Sequence, residues 1–249
     1  MNSKERNILL LLEYDGTEYF GWQVQVQRPT VQQVLQDTLK EILNEEVKIV
    51  GAGRTDSGVH AKGQVCNFKT ASDIPVEALK KALNSLLPKD IFIKEVKECP
   101  PDFHARYSAK SKLYEYRILN SKERNVFLRR YVWHIPYQLN LREMGRCLSI
   151  LKGRHDFSSF RSSGSSQKNP IRNMLRSELI PSSNDMICML FEADGFLRHM
   201  VRNIVGTVVD VGRGRLTYED FLDIFHSRDR KKAGIKAPPQ GLYLIEVRY

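Results

Sequence analysis

Residues 47–68 read VKIVGAGRTDSGVHAKGQVCNF, and this stretch decides the fold of the first half of the chain. The apolar runs Val47–Val50 and Gln64–Phe68 predict two β-strands, because short apolar runs bounded by turn residues are typical of strands. The run Gly51–Ala61 between them predicts a tight loop, since glycine takes positive φ at little steric cost. This loop carries one carboxylate, Asp56.

Three other interpretations of the loop can be tested against its residues. A dinucleotide-binding fingerprint would need a third glycine where Asp56 stands, and a carboxylate there would repel a pyrophosphate. Gly53–Gly58 has P-loop spacing, but Val59 and His60 follow it where lysine and serine or threonine are required. The third alternative, a plain turn in which Asp56 caps the backbone and Arg54 is solvated, stays open on the loop residues alone.

The sequence on either side of the loop predicts further elements. Asn7–Glu13 is an apolar strand, and Thr30 with Gln33 three residues later predicts a capping box at the start of a helix. A second helix is expected over Pro75–Leu87 and another strand over Ile91–Val96. The predicted order of the first half is therefore β-α-β-β-α-β.

The same order of elements recurs after the Pro100-Pro101 break. The pattern predicts a strand carrying Tyr114, Tyr116 and Ile118, a helix carrying Leu141, Met144, Leu148 and Leu151, strands at Met174–Ile180 and Met186–Glu192, a long helix from about Phe196 to Val209 with one buried side, a short capped helix from Tyr218, and a strand at Leu242–Val247.

The predicted fold class is α+β. Two ferredoxin-like (RRM-like) halves, residues 1–100 and 101–249, are expected to join into one extended, mostly antiparallel sheet. We expect helices on one face of this sheet and a basic active-site cleft on the other. Such a surface suits RNA, although the fold by itself licenses no function.

Composition narrows the range of partners. The chain has 249 residues, with 39 Lys and Arg against 29 Asp and Glu, a net charge of +10 that predicts a polyanionic partner. No apolar run approaches the roughly 20 residues of a membrane-spanning helix, and the N-terminus does not resemble a signal peptide, so a cytoplasmic protein is expected. The four cysteines form no C-x-x-C pair, which argues against a zinc cluster or a disulfide framework.

Two basic segments are predicted to be flexible loops that contact a phosphate backbone. They are residues 161–173, with Lys168 and Arg172, and residues 226–236, with Arg228, Arg230, Lys231 and Lys232. For each of these residues the alternative is a solvated side chain with no ligand.

A set of short motifs, found in order from end to end, connects these features. They are Tyr14–Thr17 with Tyr19 and Gly21–Gln23, Thr30–Gln32, Gly51–Ala61, Phe103–Arg106 with Ser108-Ala109, Lys112–Tyr116, Gly153 with His155–Phe157, Phe196-Leu197 with His199–Gly206, and Ala237–Pro239 with Gly241–Leu244. Together they resemble the TruA family of tRNA pseudouridine synthases. Ser57 departs from the alanine most often found at that position in the family.

The resemblance implies an activity and its partners. Members isomerise uridine to pseudouridine in the anticodon stem-loop of tRNA, at positions 38, 39 and 40. They use no metal, no nucleotide and no other cofactor, and they act as homodimers on tRNA. We therefore expect a tRNA-modifying isomerase with the Asp loop in residues 1–100 and the Tyr strand and Arg helix in residues 101–249.

The resemblance also implies roles for site residues. Asp56 is the expected nucleophile, with Arg54 or Arg202 as the guanidinium that directs it and Tyr114 as the aromatic group against the flipped base. The remaining substrate-binding predictions are Gly53, Thr55 and His60. For Arg202 the sequence alone favours a side chain that extends to solvent, whereas the resemblance favours pairing with Asp56.

Two rival functions remain open. One is a pseudouridine synthase paralogue that acts on another RNA site. The other is a non-catalytic RNA-binding protein built on the same halves, which would be expected to lack Asp56 or Arg54.

Overall fold

The computed structural model describes residues 5–164, 169–181 and 185–249. In chain order the elements are β1 Arg6–Tyr14, α1 Val31–Leu43, β2 Val50–Gly51, β3 His60–Thr70, α2 Val76–Leu86, β4 Ile91–Cys99, β5 Ser111–Leu119, β6 Trp133–His134, α3 Leu141–Ser149, β7 Gly153–Asp156, β8 Ile171–Pro181, β9 Met186–Ala193, α4 Met200–Gly212, α5 Tyr218–Ser227 and β10 Leu242–Arg248. The strand pairs are mostly antiparallel, and the α+β class is confirmed.

The chain divides into two compact units. The first comprises Met1–Lys110 and Leu244–Tyr249, and the second comprises Ser111–Tyr243. The division between the units lies after Lys110, ten residues later than the boundary at residue 100 that the sequence suggested. The residues after Tyr243 belong with the first unit, so β10 contributes to both.

In the first unit β1 is the central strand, paired antiparallel with β3 on one side and β4 on the other. Leu10 of β1 lies opposite Cys66 of β3 and Val96 of β4, and all three side chains are buried. β2 pairs with β3, so the order is β4-β1-β3-β2, as expected for a ferredoxin-like half. β10 also lies next to β3.

The helices of the first unit start close to their predicted residues. The Thr30 hydroxyl accepts a hydrogen bond from Gln33 N at 3.4 Å, so one half of the predicted capping box is present. The Gln33 side chain donates instead to Asp37 Oδ1, and the prediction of a complete box is wrong. α2 begins directly after Pro75, as predicted.

The predicted strand Val47–Val50 is mostly absent, because only Val50–Gly51 pairs with β3. Ile49 is buried, and its carbonyl accepts a hydrogen bond from the side chain of Gln32 at 3.0 Å. This side-chain donor provides a partner that a neighbouring strand would otherwise supply. β3 is longer than predicted and begins at His60, which shortens the loop that carries Asp56.

The second unit has the antiparallel order β5-β9-β8-β7, and β6 runs parallel to β5. α3, α4 and α5 pack against one another, and α3 also packs on β8. Tyr114, Tyr116 and Ile118 of β5 are buried.

α4 differs from its prediction in extent and in burial. It begins at Met200, four residues after the expected start, because His199 takes a left-handed conformation with φ 60°. All 13 of its residues are buried, so the expectation of a single buried side is wrong. A Cβ on Gly206 would overlap the carbonyl oxygen of Ile235, which shows how closely the chain after α5 packs on this helix.

Parts of the two predicted flexible loops belong to regular elements. Residues 171–173 belong to β8, and α5 extends to Ser227. Lys168 lies outside the described residues.

Candidate active site

The Asp56 loop connects β2 to β3 and is anchored through its first half. Ala52 N donates to Val65 O at 2.8 Å, and Gln64 Nε2 donates to Gly53 O at 2.9 Å. Thr55 is 6% exposed, and its hydroxyl lies 2.8 Å from the Tyr14 hydroxyl. β1 and β3 therefore both fix the backbone that leads to Asp56.

Two glycines outside the loop let the preceding segment approach it closely. A Cβ on Gly16 would overlap Val59 O, and a Cβ on Gly21 would lie 2.5 Å from Thr55 O. Gly21 has φ +88°, a conformation that other residues rarely adopt. Trp22 N donates to Thr55 O at 3.1 Å, which holds the two segments together.

The glycines within the loop have different physical roles. Gly58 alone of Gly51, Gly53 and Gly58 has positive φ, at 75°, and its N–H donates to Tyr19 O at 3.2 Å. Gly51 is instead required by packing, because a Cβ there would overlap the Trp22 indole. Gly58 therefore uses the left-handed conformation open to glycine, and Gly51 uses its lack of a side chain.

Asp56 itself is half-buried, and its carbonyl accepts from Val59 N at 3.1 Å. Arg54 is exposed and donates through Nε to Gln23 Oε1 at 3.1 Å. Within the described ranges this is the one hydrogen bond of Arg54, and it forms no ion pair there with Asp56.

His60 begins β3 and is 2% exposed. Its Nδ1 lies 3.1 Å from both Gly16 N and Asp15 Oδ1. One nitrogen cannot accept from the first and donate to the second at once. We assign Nδ1 as the acceptor, because the Gly16 N–H can only donate, whereas Asp15 Oδ1 already accepts from Thr17 N and Oγ1. His60 thus supports the turn that carries Gly16.

In the second unit Tyr114 lies on β5 opposite Phe191 of β9. It is 7% exposed, and its ring packs edge-on against Phe196 with 4.9 Å between centroids. Tyr116, two residues later, donates through its hydroxyl to Pro238 O at 2.8 Å. Burial raises the pKa of Tyr116, and the nearby charge of Arg202 opposes that rise.

Arg202 lies in the first turn of α4 and is 6% exposed. Its Nε donates to Ala237 O at 2.8 Å, and Ala237 N donates back to Arg202 O at 3.0 Å. The interpretation favoured by the sequence alone, a side chain extending to solvent, is therefore wrong.

The predicted phosphate-binding residues differ in how the protein uses them. Arg230 donates to Asn203 Oδ1, Ala233 O and Gly234 O, so its guanidinium holds the turn after α5. Arg172 is half-buried, and burial lowers its pKa. Three residues are exposed: Arg228, which pairs with Asp156 at 3.3 Å, Lys231 and Lys232.

Sequence reasoning missed the residues that support the Asp56 loop from outside it. Tyr14, Gly16, Gly21 and Trp22 were singled out only as motif residues, and Gln64 was counted only as a strand residue. The available signal was that most of these residues lie in a run rich in glycine and aromatic residues. Their contacts join segments far apart in sequence, so the sequence alone did not show them.

Within the described ranges no three His, Cys, Asp or Glu side chains are grouped as a metal ion would need. No helix in the same ranges is long and apolar enough to cross a bilayer.

Comparison with known proteins gives the family. A family model described as tRNA pseudouridine synthase matches residues 11–108 and 148–249. The tRNA pseudouridine synthase A of Thermoanaerobacter sp. strain X514 is 52% identical over 244 residues, covering 98% of this chain and all of the relative. The protein of the same name from Caldicellulosiruptor saccharolyticus is 51% identical, and tRNA pseudouridine synthase A 2 of Clostridium perfringens is 47% identical, both with the same coverage. The chain therefore belongs to the tRNA pseudouridine synthase family and is a pseudouridine synthase, an isomerase.

Proposed function

We propose that this protein isomerises uridine to pseudouridine in the anticodon stem-loop of tRNA, at positions 38, 39 and 40, with Asp56 as the nucleophile. The observation that carries the proposal is the Asp56 loop, whose backbone is fixed at Gly53, Thr55 and Gly58 by hydrogen bonds with two other segments, β3 and residues 19–22. A carboxylate on so constrained a loop keeps one orientation toward a substrate.

The reaction explains why a carboxylate is suitable. The N1–C1′ bond must break, the uracil must rotate while it stays bound, and a C5–C1′ bond must form as the C5 proton leaves. The product has the same atoms as the substrate, so no net oxidant or reductant is needed. The carboxylate of Asp56 can attack C1′ or C6, or stabilise a cationic sugar, and then depart.

Arg202 is proposed to direct the Asp56 carboxylate. A cation in the first turn of a helix is unfavourable toward the helix dipole, so helix stability does not explain Arg202 at this position. A buried guanidinium also needs anionic or polar partners, of which Ala237 O is one. Arg54, which has no carboxylate partner in the described ranges, is instead proposed to contact the RNA.

Tyr114 is proposed to contact the flipped uracil. Bases extracted from a helix are commonly held against aromatic side chains, and a phenol can also take part in removing the C5 proton. The edge-on contact with Phe196 limits the orientations available to the Tyr114 ring. Gly53, Thr55 and His60 contribute by shaping the loop rather than by acid–base chemistry.

We further propose a cytoplasmic homodimer, since the resemblance implies one and tRNA is a cytoplasmic substrate. Light scattering of the purified protein measures the oligomeric state directly.

The test of the activity is release of tritium from an unmodified tRNA transcript labelled at uridine C5. Wild type is expected to release the label, whereas Asp56→Ala is expected to lose at least about 10⁴-fold in rate while tRNA affinity stays within a few fold. Asp73→Ala, which removes an exposed carboxylate from the same unit, is the matched control and should behave as wild type. Mapping the modified nucleotides should then give positions 38, 39 and 40.

The outcomes separate the rival functions. Modification at another site would identify a paralogue with the same chemistry. Tight tRNA binding with no release from any RNA tested would favour the non-catalytic RNA-binding protein. Equal release by wild type and Asp56→Ala would exclude Asp56 as the nucleophile.

A further inference from the structure

Gln23 has a contact that no part of the proposed mechanism uses. Its side-chain oxygen Oε1 accepts the hydrogen bond from Arg54 Nε at 3.1 Å. Arg54 is exposed and lies two residues before Asp56. A long exposed side chain normally samples many rotamers, so a fixed acceptor at Nε restricts where its guanidinium points.

The backbone on both sides of Gln23 is itself fixed. Trp22 N donates to Thr55 O at 3.1 Å, and Trp22 O accepts from Gln32 N at 3.0 Å. Val24 N donates to Gln32 Oε1 at 3.2 Å, while the other end of that amide donates to Ile49 O at 3.0 Å. Gln32 is 7% exposed and therefore forms a rigid support.

This support connects Gln23 to the Asp56 loop. Trp22 is 1% exposed and packs against Gly51 at the start of the loop, so Gln23 and Arg54 project from two segments that are held to each other. Because these two segments are held to each other, the backbones that carry Gln23 and Arg54 keep a constant separation.

We propose that Gln23 is a positioning residue that holds the Arg54 guanidinium toward the RNA next to Asp56. The proposal rests on the proposed function, because it assumes that Arg54 contacts the RNA. With Nε bonded to Gln23, the two Nη groups of Arg54 stay available for a phosphate or a base edge. Glutamine suits this role because it accepts a hydrogen bond without neutralising the charge of Arg54.

The experiment is a double-mutant cycle on Gln23 and Arg54. Gln23→Leu removes the acceptor, Gln23→Glu keeps one, and Arg54→Ala removes the group that is positioned. Gln33→Leu on α1 makes the same substitution and loses one exposed hydrogen bond, to Asp37, so it is the matched control. Each variant is measured by single-turnover tritium release at saturating tRNA, by tRNA affinity and by thermal midpoint.

The expected result is a slower reaction without a loss of stability. Gln23→Leu should lower the single-turnover rate about five- to tenfold, the usual net effect of losing one hydrogen bond at an exposed position. In the Arg54→Ala background the same substitution should change the rate by less than about twofold, because non-additivity is the signature of a residue that acts through another. Gln23→Glu keeps the acceptor but offsets the charge of Arg54, so it should bind tRNA more weakly than wild type, whereas Gln33→Leu should match wild type.

An equal effect of Gln23→Leu in both backgrounds would overturn the proposal, as would no effect in either. If wild type itself released no tritium, the proposed function would fail. The same double-mutant cycle, measured by tRNA affinity, would still decide the role of Gln23. The hydrogen exchange of the Arg54 Nε–H, followed by NMR, adds a readout independent of activity. It should be slow in wild type and Gln23→Glu and fast in Gln23→Leu.

Discussion

Gly21 shows how a single residue outside the Asp56 loop determines its shape. Its backbone lies so close to the loop that a Cβ would be 2.5 Å from Thr55 O and 3.0 Å from the Asp56 carbonyl carbon. Its φ of +88° adds a second constraint, since a side chain rarely adopts it. Both constraints act directly on the backbone that presents the carboxylate.

We therefore predict that Gly21→Ala lowers both stability and activity. The strain of positive φ and the contact with the loop together should cost at least about 1–3 kcal/mol in the free energy of unfolding. Gly145→Ala is the matched control, because Gly145 lies in α3 with no atom within 4 Å of its would-be Cβ. That substitution should raise stability by about 0.5–1 kcal/mol, the usual preference for alanine in a helix. Urea unfolding of the two variants checks the sign of each effect, and a stable Gly21→Ala protein would contradict the prediction.

At the scale of elements, the N-terminus of α5 has the most complete capping arrangement in the described chain. The Thr217 hydroxyl accepts from Asp220 N at 3.0 Å, and Asp220 Oδ2 accepts from Thr217 N at 2.8 Å. The hydrogen bonds from the backbone and the side chain of Thr217 lower the pKa of Asp220. The ionised carboxylate is thus the form that stabilises the helix.

Thr217→Ala is predicted to destabilise the protein by about 1 kcal/mol, whereas Thr217→Ser, which keeps the hydroxyl, should be near neutral. Asp220 is expected to stabilise the protein in a way that depends on pH. Its folded-state pKa is depressed, so its stabilising contribution is present above the ordinary aspartate pKa of about 3.9 and is lost as pH falls through the lower folded value. The difference between wild type and Asp220→Asn in the urea midpoint should therefore be seen at neutral pH and should disappear in strong acid. A difference that persisted unchanged there would show that the charge of Asp220 is irrelevant to the cap.

The helices and strands illustrate what local sequence can and cannot specify. The α5 start and the β1 strand follow from neighbouring residues and were predictable from them. The one-sided α1 cap, the short β2 and the late start of α4 depend on choices that the pattern leaves open: Gln33 donates to Asp37, the Gln32 side chain donates to Ile49 O, and His199 takes a left-handed conformation. The site behaves in the same way, since the Asp56 loop was recognisable but its supports at Gly16, Gly21 and Gln64 were not.

Over the whole molecule, the net charge of +10 predicts a polyanionic partner without specifying which cations bind it. The structure separates the basic residues of the segment after α5 by their contacts. Arg230 is bonded to three protein acceptors and is expected to act through folding, whereas Lys231 and Lys232 are exposed. The two lysines are therefore the better candidates for contacts with the tRNA backbone.

The double substitution Lys231→Ala and Lys232→Ala should weaken tRNA binding and reduce its dependence on salt, because fewer counterions are released on binding when phosphate contacts are lost. If both lysines bind phosphates, the slope of log Kobs against log salt should become less steep by about 1.4–1.8, roughly 0.7–0.9 per contact. Lys81→Ala with Lys89→Ala removes the same charge from exposed positions in the first unit and is the matched control. Affinity measured by filter binding from low to moderate salt gives both slopes. The local prediction holds if the slope changes only for the 231/232 pair. Equal changes for both pairs would mean that tRNA responds to the overall charge of the protein, and that the segment after α5 is not a specific contact.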